Sequence, residues 1–261
     1  MQISVIIPSY KPQFYIWECL DSLKHQDYNK QNFEIVIILN GCCEPYFSEL
    51  KSYISSNLYD FSVTLLQTDI AGVSNARNIG IEKSRGDYIT FIDDDDYVST
   101  NFLSALASKV EQNLVPISNM KSFVQGDDID DAYYVALLFK KVSSLNKVPI
   151  LKARTYLSFP VAKLIDRAII KDRRFDKRFK NGEDSLFMLS ISDNIKYLRP
   201  TSKDAIYYRR YRVNSAFTRK QNRKDVIKNK IKLGFAYLPY LLQPWRYNFI
   251  FCLTRILALF K

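Results

Sequence analysis

Four consecutive carboxylates close the stretch FIDDDDYV, residues 91–98. Asp93, Asp94, Asp95 and Asp96 follow an apolar run, and charges of one sign this close repel unless something neutralises them. Three partners could do so: a hard divalent cation, a set of hydrogen-bond donors, or water. In an extended chain alternate side chains share a face. Asp93 would then converge with Asp95, with Asp94 and Asp96 opposite. Mg2+ and Mn2+ favour carboxylate oxygen and bind through one or two such groups plus substrate phosphates. The plain alternative is a solvated acidic turn. The chain's single histidine, His25, is far away in sequence, which argues against zinc.

A second acidic pair lies in NGEDSLF, residues 181–187. Gly182 permits a tight turn. Glu183 and Asp184 would then open a helix, where the helix dipole favours carboxylates. That placement explains them without chemistry. The chemical reading is a general base reaching a hydroxyl. Adjacent helical residues point about 100° apart. The pair is therefore not arranged to flank one sugar ring, as in a glycoside hydrolase. No G-x-G-x-x-G follows the first strand and no G-x-x-x-x-G-K-[ST] occurs. A bound diphosphate would have to rest on a metal and on basic side chains. Arg77, in AGVSNARN, is one candidate, although spacing alone favours an exposed helix residue.

These residues need a frame. ISVIIP (3–8), FEIVIIL (33–39), FSVTLLQ (61–67) and YITFI (88–92) are short and almost wholly apolar. Such runs predict strands buried on both faces. Helical segments alternate with them: Ile16, Leu20 and Leu23 recur at helical spacing, residues 45–57 start with a proline, and Val73, Ala76 and Ile79 or Gly80 can share a face. Alternation predicts a right-handed, mostly parallel α/β sheet, whose ligands bind at the C-terminal strand ends. Ser9 and Tyr10, Asn40 and Gly41, and the four aspartates all sit at such ends. Later, helices are expected over about 100–113, 133–144 and 160–171 and from Glu183, with strands near 116–124 and 205–211.

Composition sets bounds. The chain has 261 residues, 47% hydrophobic and 25% charged, as in a folded soluble protein. With 7 Gly and 9 Pro it is not linker-rich. The net charge of +11 is uneven: residues 201–261 carry 14 Lys and Arg against 2 Asp and Glu. A basic segment attracts a polyanion, either phospholipid or nucleic acid. Four cysteines, two adjacent, form no disulfide framework and suggest a reducing compartment. The sequence opens directly into a strand-like run, so no signal peptide is expected. In 221–261 aromatic and aliphatic residues mix with Lys and Arg, and Pro239, Pro244, Arg246 and Arg255 interrupt any window of about 20 apolar residues that could span a bilayer. An amphipathic segment lying in the interface is expected, or else a helix packed on the protein itself.

SVIIPSY, AGVSNARNIGIEKSRGDYITFIDDDD, KLIDR with RFDKRFKNGEDSLF, and YYRRYRVNSAFTR together resemble glycosyltransferase family 2, inverting enzymes of the GT-A nucleotide-sugar fold. The resemblance covers about 2–218. It implies a GT-A domain over 1–220, with a nucleotide-binding half over about 1–100, an acceptor half over about 101–220 and a basic helical tail over 221–261. Pro8, Ser9 and Tyr10 would line the nucleotide pocket. Asp95 would be the main ligand of Mn2+ or Mg2+, with Asp93 or Asp94 at the metal or ribose, and Arg77 near the nucleotide. Asp184 would be the base, supported by Glu183. Arg209, Arg210 or Arg212, in a segment closing over the diphosphate, would meet its charge.

Two positions depart from the family pattern. Leu39 and Asn40 stand where an Asp-Asp pair usually reads a uracil edge, and the Asn40 amide still offers donors and an acceptor. No late histidine is available as a further metal ligand. The implied partners are a nucleotide-sugar donor, UDP-linked, and a saccharide or lipid-linked saccharide acceptor in surface-polysaccharide synthesis. An anionic membrane surface, met through 221–261 on the cytoplasmic side, completes the set, with no nucleic acid. A nucleotidyltransferase using the same pocket, or a non-catalytic basic membrane-binding protein, are the competing readings.

Overall fold

A computed structural model of the protein describes residues 1–124, 129–212 and 222–260. The first third alternates strand and helix: β1 Ile3–Ser9, α1 Tyr15–Lys24, β2 Phe33–Asn40, α2 Tyr46–Asn57, β3 Ser62–Thr68, α3 Val73–Lys83 and β4 Tyr88–Phe91. Shorter elements follow: β5 Tyr97–Val98, α4 Phe102–Ala107, β6 Leu114–Ile117, β7 Asn119–Phe123, α5 Tyr134–Val142, β8 Val148–Pro149, β9 Ile165–Asp166 and α6 Arg167–Ile170. Then come α7 Glu183–Ser190, β10 Tyr197–Pro200, β11 Ile206–Arg210, α8 Arg223–Leu241 and α9 Phe249–Ala258.

The main sheet runs β3-β2-β1-β4-β9, parallel except for the antiparallel edge strand β9. The strand order reverses between β1 and β4, so their C-terminal ends open a crevice. β1 and β2 are buried along their whole length, the signature of strands covered on both faces. β3 departs from that expectation. It is the sheet edge, and most of it is half-exposed. Helix α3 lies unusually close to the sheet: a Cβ on Gly80 would come 2.3 Å from Ile6 Cγ2. Its C-terminal end is held by Arg167, whose guanidinium donates to the carbonyls of Ile81, Ser84 and Gly86 at 2.8–3.0 Å.

Elsewhere the sequence periodicity misleads. The helix expected over 100–113 shrinks to α4, which ends at Ala107, and the chain reaches β6 through Asn113 at φ +60°. The strand expected over 116–124 splits into β6 and β7, which join different three-stranded sheets. Ser118 marks the break, its N–H donating to Ala162 O. The helix expected over 160–171 does not form. Ala162 takes φ +58°, and β9 followed by the short α6 replaces the helix, with Asp166 capping α6 through Ala168 N–H at 2.7 Å.

Helices α8 and α9 fold as a hairpin against the rest of the protein, burying Leu233, Tyr237, Tyr247, Phe251, Cys252 and Arg255. Arg255 anchors α9: its guanidinium donates to Ser158 Oγ at 2.5 Å and to the carbonyl of Arg154. The outer side of the hairpin keeps Ile231, Phe235, Leu242, Trp245 and Phe260 exposed. Among the described residues no helix is long and apolar enough to cross a membrane.

Candidate active site

The four aspartates do not continue β4. Asp96 N–H donates back to Asp93 O at 3.1 Å, which makes residues 93–96 a turn. Strand alternation therefore does not set the directions of these four side chains. Each carboxylate points to a different partner. Asp93 meets Arg77 Nη2 at 2.8 Å. Asp94 accepts from Ser9 Oγ at 2.6 Å. Asp95 meets Arg212 Nε at 2.6 Å. Asp96 turns inward and accepts from Tyr207 OH at 2.6 Å and from Arg210 N–H at 2.8 Å. Its role is to fasten β11 to the turn, and nothing in its sequence neighbours announced that.

Burial is the main cost of this cluster. It pushes the Asp94 carboxyl up to about 7, reinforced by Asp95 and opposed by the Ser9 hydroxyl. Asp95 is raised too, by burial first and Asp93 second, with Arg212 opposing. A positive charge among these groups is thus favoured. Among the described residues no three His, Cys, Asp or Glu side chains form a ready cage. The donor set still suits a hard cation, which needs only one or two carboxylates when substrate phosphates complete its shell.

Arg77 is the joint of the site. It is 3% exposed, contrary to its expected place on a solvated helix face. While Nη2 holds Asp93, Nη1 meets Asp184 Oδ1 at 2.5 Å. Burial disfavours its charge, but Asp184, Asp93 and Glu183 more than compensate and hold the guanidinium protonated. One side chain therefore spans from the aspartate turn to the start of α7. Phe175 lies under it, 5.3 Å from ring centroid to guanidinium carbon, and stacks on Phe187 of α7 at 3.8 Å.

Gly182, at φ +87°, precedes α7 in a left-handed conformation that glycine adopts readily. Asp184 keeps 28% of its side chain accessible. Its carboxyl is raised by burial and by Asp93, while Arg77 and Lys163 pull it down. Glu183 is buried, and its Oε2 has no hydrogen-bond partner among the described residues. Burial and then Asp184 push its carboxyl up to about 7. A carboxyl poised there can exchange a proton near neutrality.

The remaining expected residues scatter around this centre. Pro8 is buried within β1. Tyr10 is half-exposed beyond its end. Leu39 is fully buried. The Asn40 amide is engaged on both sides, Nδ2 donating to Ser9 O at 2.6 Å and Oδ1 accepting from Gly72 N–H at 2.8 Å. Arg212 faces the aspartates and also donates to Tyr15 OH at 3.0 Å. Arg210 is buried, paired with Glu18 and donating to Asp95 O at 2.9 Å. Arg209 donates to Tyr133 OH at 2.8 Å. The rest of the expected closing segment, 213–219, lies outside the described residues.

Lys163 escaped the sequence reading of the site. Its ammonium is fully buried and donates to the carbonyls of Phe159 and Val161, each at 2.6 Å. Burial pushes its pKa well below the ordinary lysine range, with Asp184 opposing. The run KLIDR carried the only signal for it.

The family model described as Glycosyl transferase family 2 matches residues 4–170. The poly(ribitol-phosphate) beta-N-acetylglucosaminyltransferase TarS of Staphylococcus aureus is 28% identical over 212 residues, 80% of this chain and 35% of that protein. The chain thus spans about a third of the length of this relative. A crystal structure of S. aureus TarS in complex with UDP-GlcNAc superposes with a TM-score of 0.72 at 23% identity, covering 91% of this chain and 67% of the other. A structure of GalNAc-T7 with UDP, GalNAc and Mn2+ superposes at 0.63 with 14% identity, covering 88% of this chain and 48% of the other.

Proposed function

Because the chain belongs to glycosyl transferase family 2 and has the GT-A fold, we propose that it moves a hexose or N-acetylhexosamine from a UDP-sugar to an acceptor hydroxyl in cell-surface polysaccharide synthesis. That it is a glycosyltransferase follows from the family itself. The acceptor is a saccharide, a lipid-linked saccharide or a polyol phosphate polymer of the kind named for the TarS relative. The donor half occupies about 1–100 and the acceptor half about 101–220.

One observation carries the mechanism. Arg77 holds Asp93 on one side and Asp184 on the other, so the carboxylates suited to the donor and the base suited to the acceptor meet across one guanidinium. Asp95 and Asp93, together with the donor phosphates, would hold Mn2+ or Mg2+, which would supply positive charge to offset that gained by the departing diphosphate. Arg212, beside Asp95, adds a fixed positive charge to the same region. Ser9 and Asp94 line the nucleotide side. Asp184 accepts the hydroxyl proton as the acceptor oxygen attacks the anomeric carbon from the face opposite the leaving group. A single displacement inverts the configuration. Glu183 lies beside it as an acceptor-side hydrogen-bonding group.

The outer side of α8 and α9 supports a second contact. Apolar side chains exposed there stand beside Lys224, Lys228 and Lys232, a combination suited to an anionic lipid surface. We place the enzyme peripherally on the cytoplasmic face of the membrane.

UDP release from UDP-GlcNAc and UDP-glucose, with Mn2+ or with chelator and with a poly(ribitol phosphate) acceptor, tests the reaction. Asp184→Asn should lower turnover by about 100-fold or more while donor affinity, measured by calorimetry, is kept. Parallel loss of both would remove Asp184 from the role of base. Asp95→Ala should lose the Mn2+-dependent part of donor affinity.

A further inference from the structure

Helix α7 is only 8 residues long, and its N-cap glycine has no side chain with which to cap it. A helix this short does not hold its form alone in water. Its N-terminal turn also carries two desolvated carboxyls, Glu183 and Asp184. Phe187 secures one side of α7 by stacking on Phe175. The other side is held by α8. Asn229, Leu233 and Tyr237 recur every four residues, so they form one stripe along α8. Asn229 Nδ2 donates to Asn181 O at 3.1 Å. Leu233 presses on Gly182 so closely that a Cβ there would lie 2.3 Å from its Cδ2. Tyr237 OH donates to Ser185 Oγ at 2.9 Å. Beyond the corner, Tyr247 OH donates to Ser190 O at 3.2 Å. The contacts at 181, 182 and 185 bracket Glu183 and Asp184 from both sides.

We propose that α8 belongs to the catalytic machinery: the stripe Asn229, Leu233 and Tyr237 consists of positioning residues that set where the base on α7 stands. This rests on the reading of Asp184 as the base. Among the described residues the side-chain hydrogen bonds of the stripe reach 181 and 185 on the α7 side and not the aspartates at 93–96, so it acts on the acceptor side and not on donor binding. A misplacement of about 1 Å at a reacting group costs on the order of 100-fold in rate. A contact that only shifts α7 is therefore visible in kcat.

The test compares Leu233→Ala, Leu233→Met, Tyr237→Phe and Asp184→Asn well below their melting temperatures. It reads kcat by UDP release, donor Kd by calorimetry, and hydrogen exchange of the amides in α7 and in β1, β2 and β4. Leu233→Ala should lower kcat by roughly tenfold and leave donor Kd within about twofold. It should also speed exchange in α7 while the sheet stays protected. Leu233→Met should recover most of the rate. Tyr237→Phe, which keeps the ring and removes the hydroxyl, should fall between wild type and Leu233→Ala. Wild-type kcat and α7 exchange in Leu233→Ala, or equal losses of kcat and donor affinity, would overturn the proposal. A dead Asp184→Asn beside a normal Leu233→Ala rejects the positioning role alone. An active Asp184→Asn rejects the base and this inference with it.

Discussion

Glu183 and Asp184 sit side by side, yet the structure treats them differently. Asp184 has Arg77 at 2.5 Å and an accessible edge, whereas Glu183 is buried with one oxygen unpartnered among the described residues. The Glu183 carboxyl moves from 4.5 to about 7 on folding, through burial and then through Asp184. Between those values the native state binds more protons than the unfolded chain. The stability tied to this group is therefore complete below about pH 4.5 and lost as the pH rises through about 7. Glu183→Gln keeps the shape and cannot ionise. Its melting temperature relative to wild type, measured without metal, should rise across that window and level off above it. A difference that is flat with pH would mean that the ionised carboxylate is already compensated. Asp96 teaches a different lesson. Four equal letters in the sequence meet four different partners, and only the turn at 93–96 separates the inward anchor Asp96 from the other three carboxylates.

Element α3 shows how the sheet places a buried side chain of the candidate site. Its near approach to β1 and β2 is possible because residue 80 is glycine, and the approach brings Arg77 under the aspartate turn. Gly80→Ala would gain about 1 kcal/mol of helix propensity. Against this, its Cβ would meet Ile6 Cγ2 at 2.3 Å and Ile38 Cδ1 at 3.0 Å, on β-branched side chains fixed in the central strands. Overpacking of this kind costs about 1–3 kcal/mol, so the clash wins. We expect a net loss of up to about 2 kcal/mol, read as a lower urea midpoint with an unchanged slope. Unaltered stability would show that α3 can lift away from the sheet. The alternation of strand and helix through residue 91 was legible from apolar runs, because buried parallel strands are apolar throughout. The region after it was not. Short strands that change sheet at Ser118, and a turn at Ala162 built around the buried Lys163, leave no period to read.

The whole molecule separates its charge by region. The basic excess of 201–261 is not a uniform solvated tail. Arg210 and Arg255 are buried anchors, Arg212 faces the aspartates, and Lys224, Lys228 and Lys232 stay at the surface beside exposed Ile231 and Phe235. If that outer face meets lipid, vesicles rich in anionic lipid should pellet the full chain, and moderate salt should weaken binding. Phe235→Glu with Trp245→Glu should abolish pelleting without lowering the melting temperature, because both side chains are mostly solvent-exposed. Pelleting equal to wild type would remove the membrane from the account. Deleting 221–261 is a poor substitute for these variants, since it would strip Leu233, Tyr237 and Phe251 from the core.

The sequence by itself determined the family, the α/β order of the first strands and the residue types of the site. Those properties reside in contiguous runs, where periodicity and motif spacing are visible. Only the tertiary structure decided that Arg77 is buried between Asp93 and Asp184, that Asp96 faces inward, and that α8 braces the helix bearing Asp184. Each joins residues far apart in the chain: 16 and 107 positions separate Arg77 from its two carboxylates, and 111 separate Asp96 from Tyr207. Burial and pairing across such distances are set by how elements pack, and no local pattern encodes that.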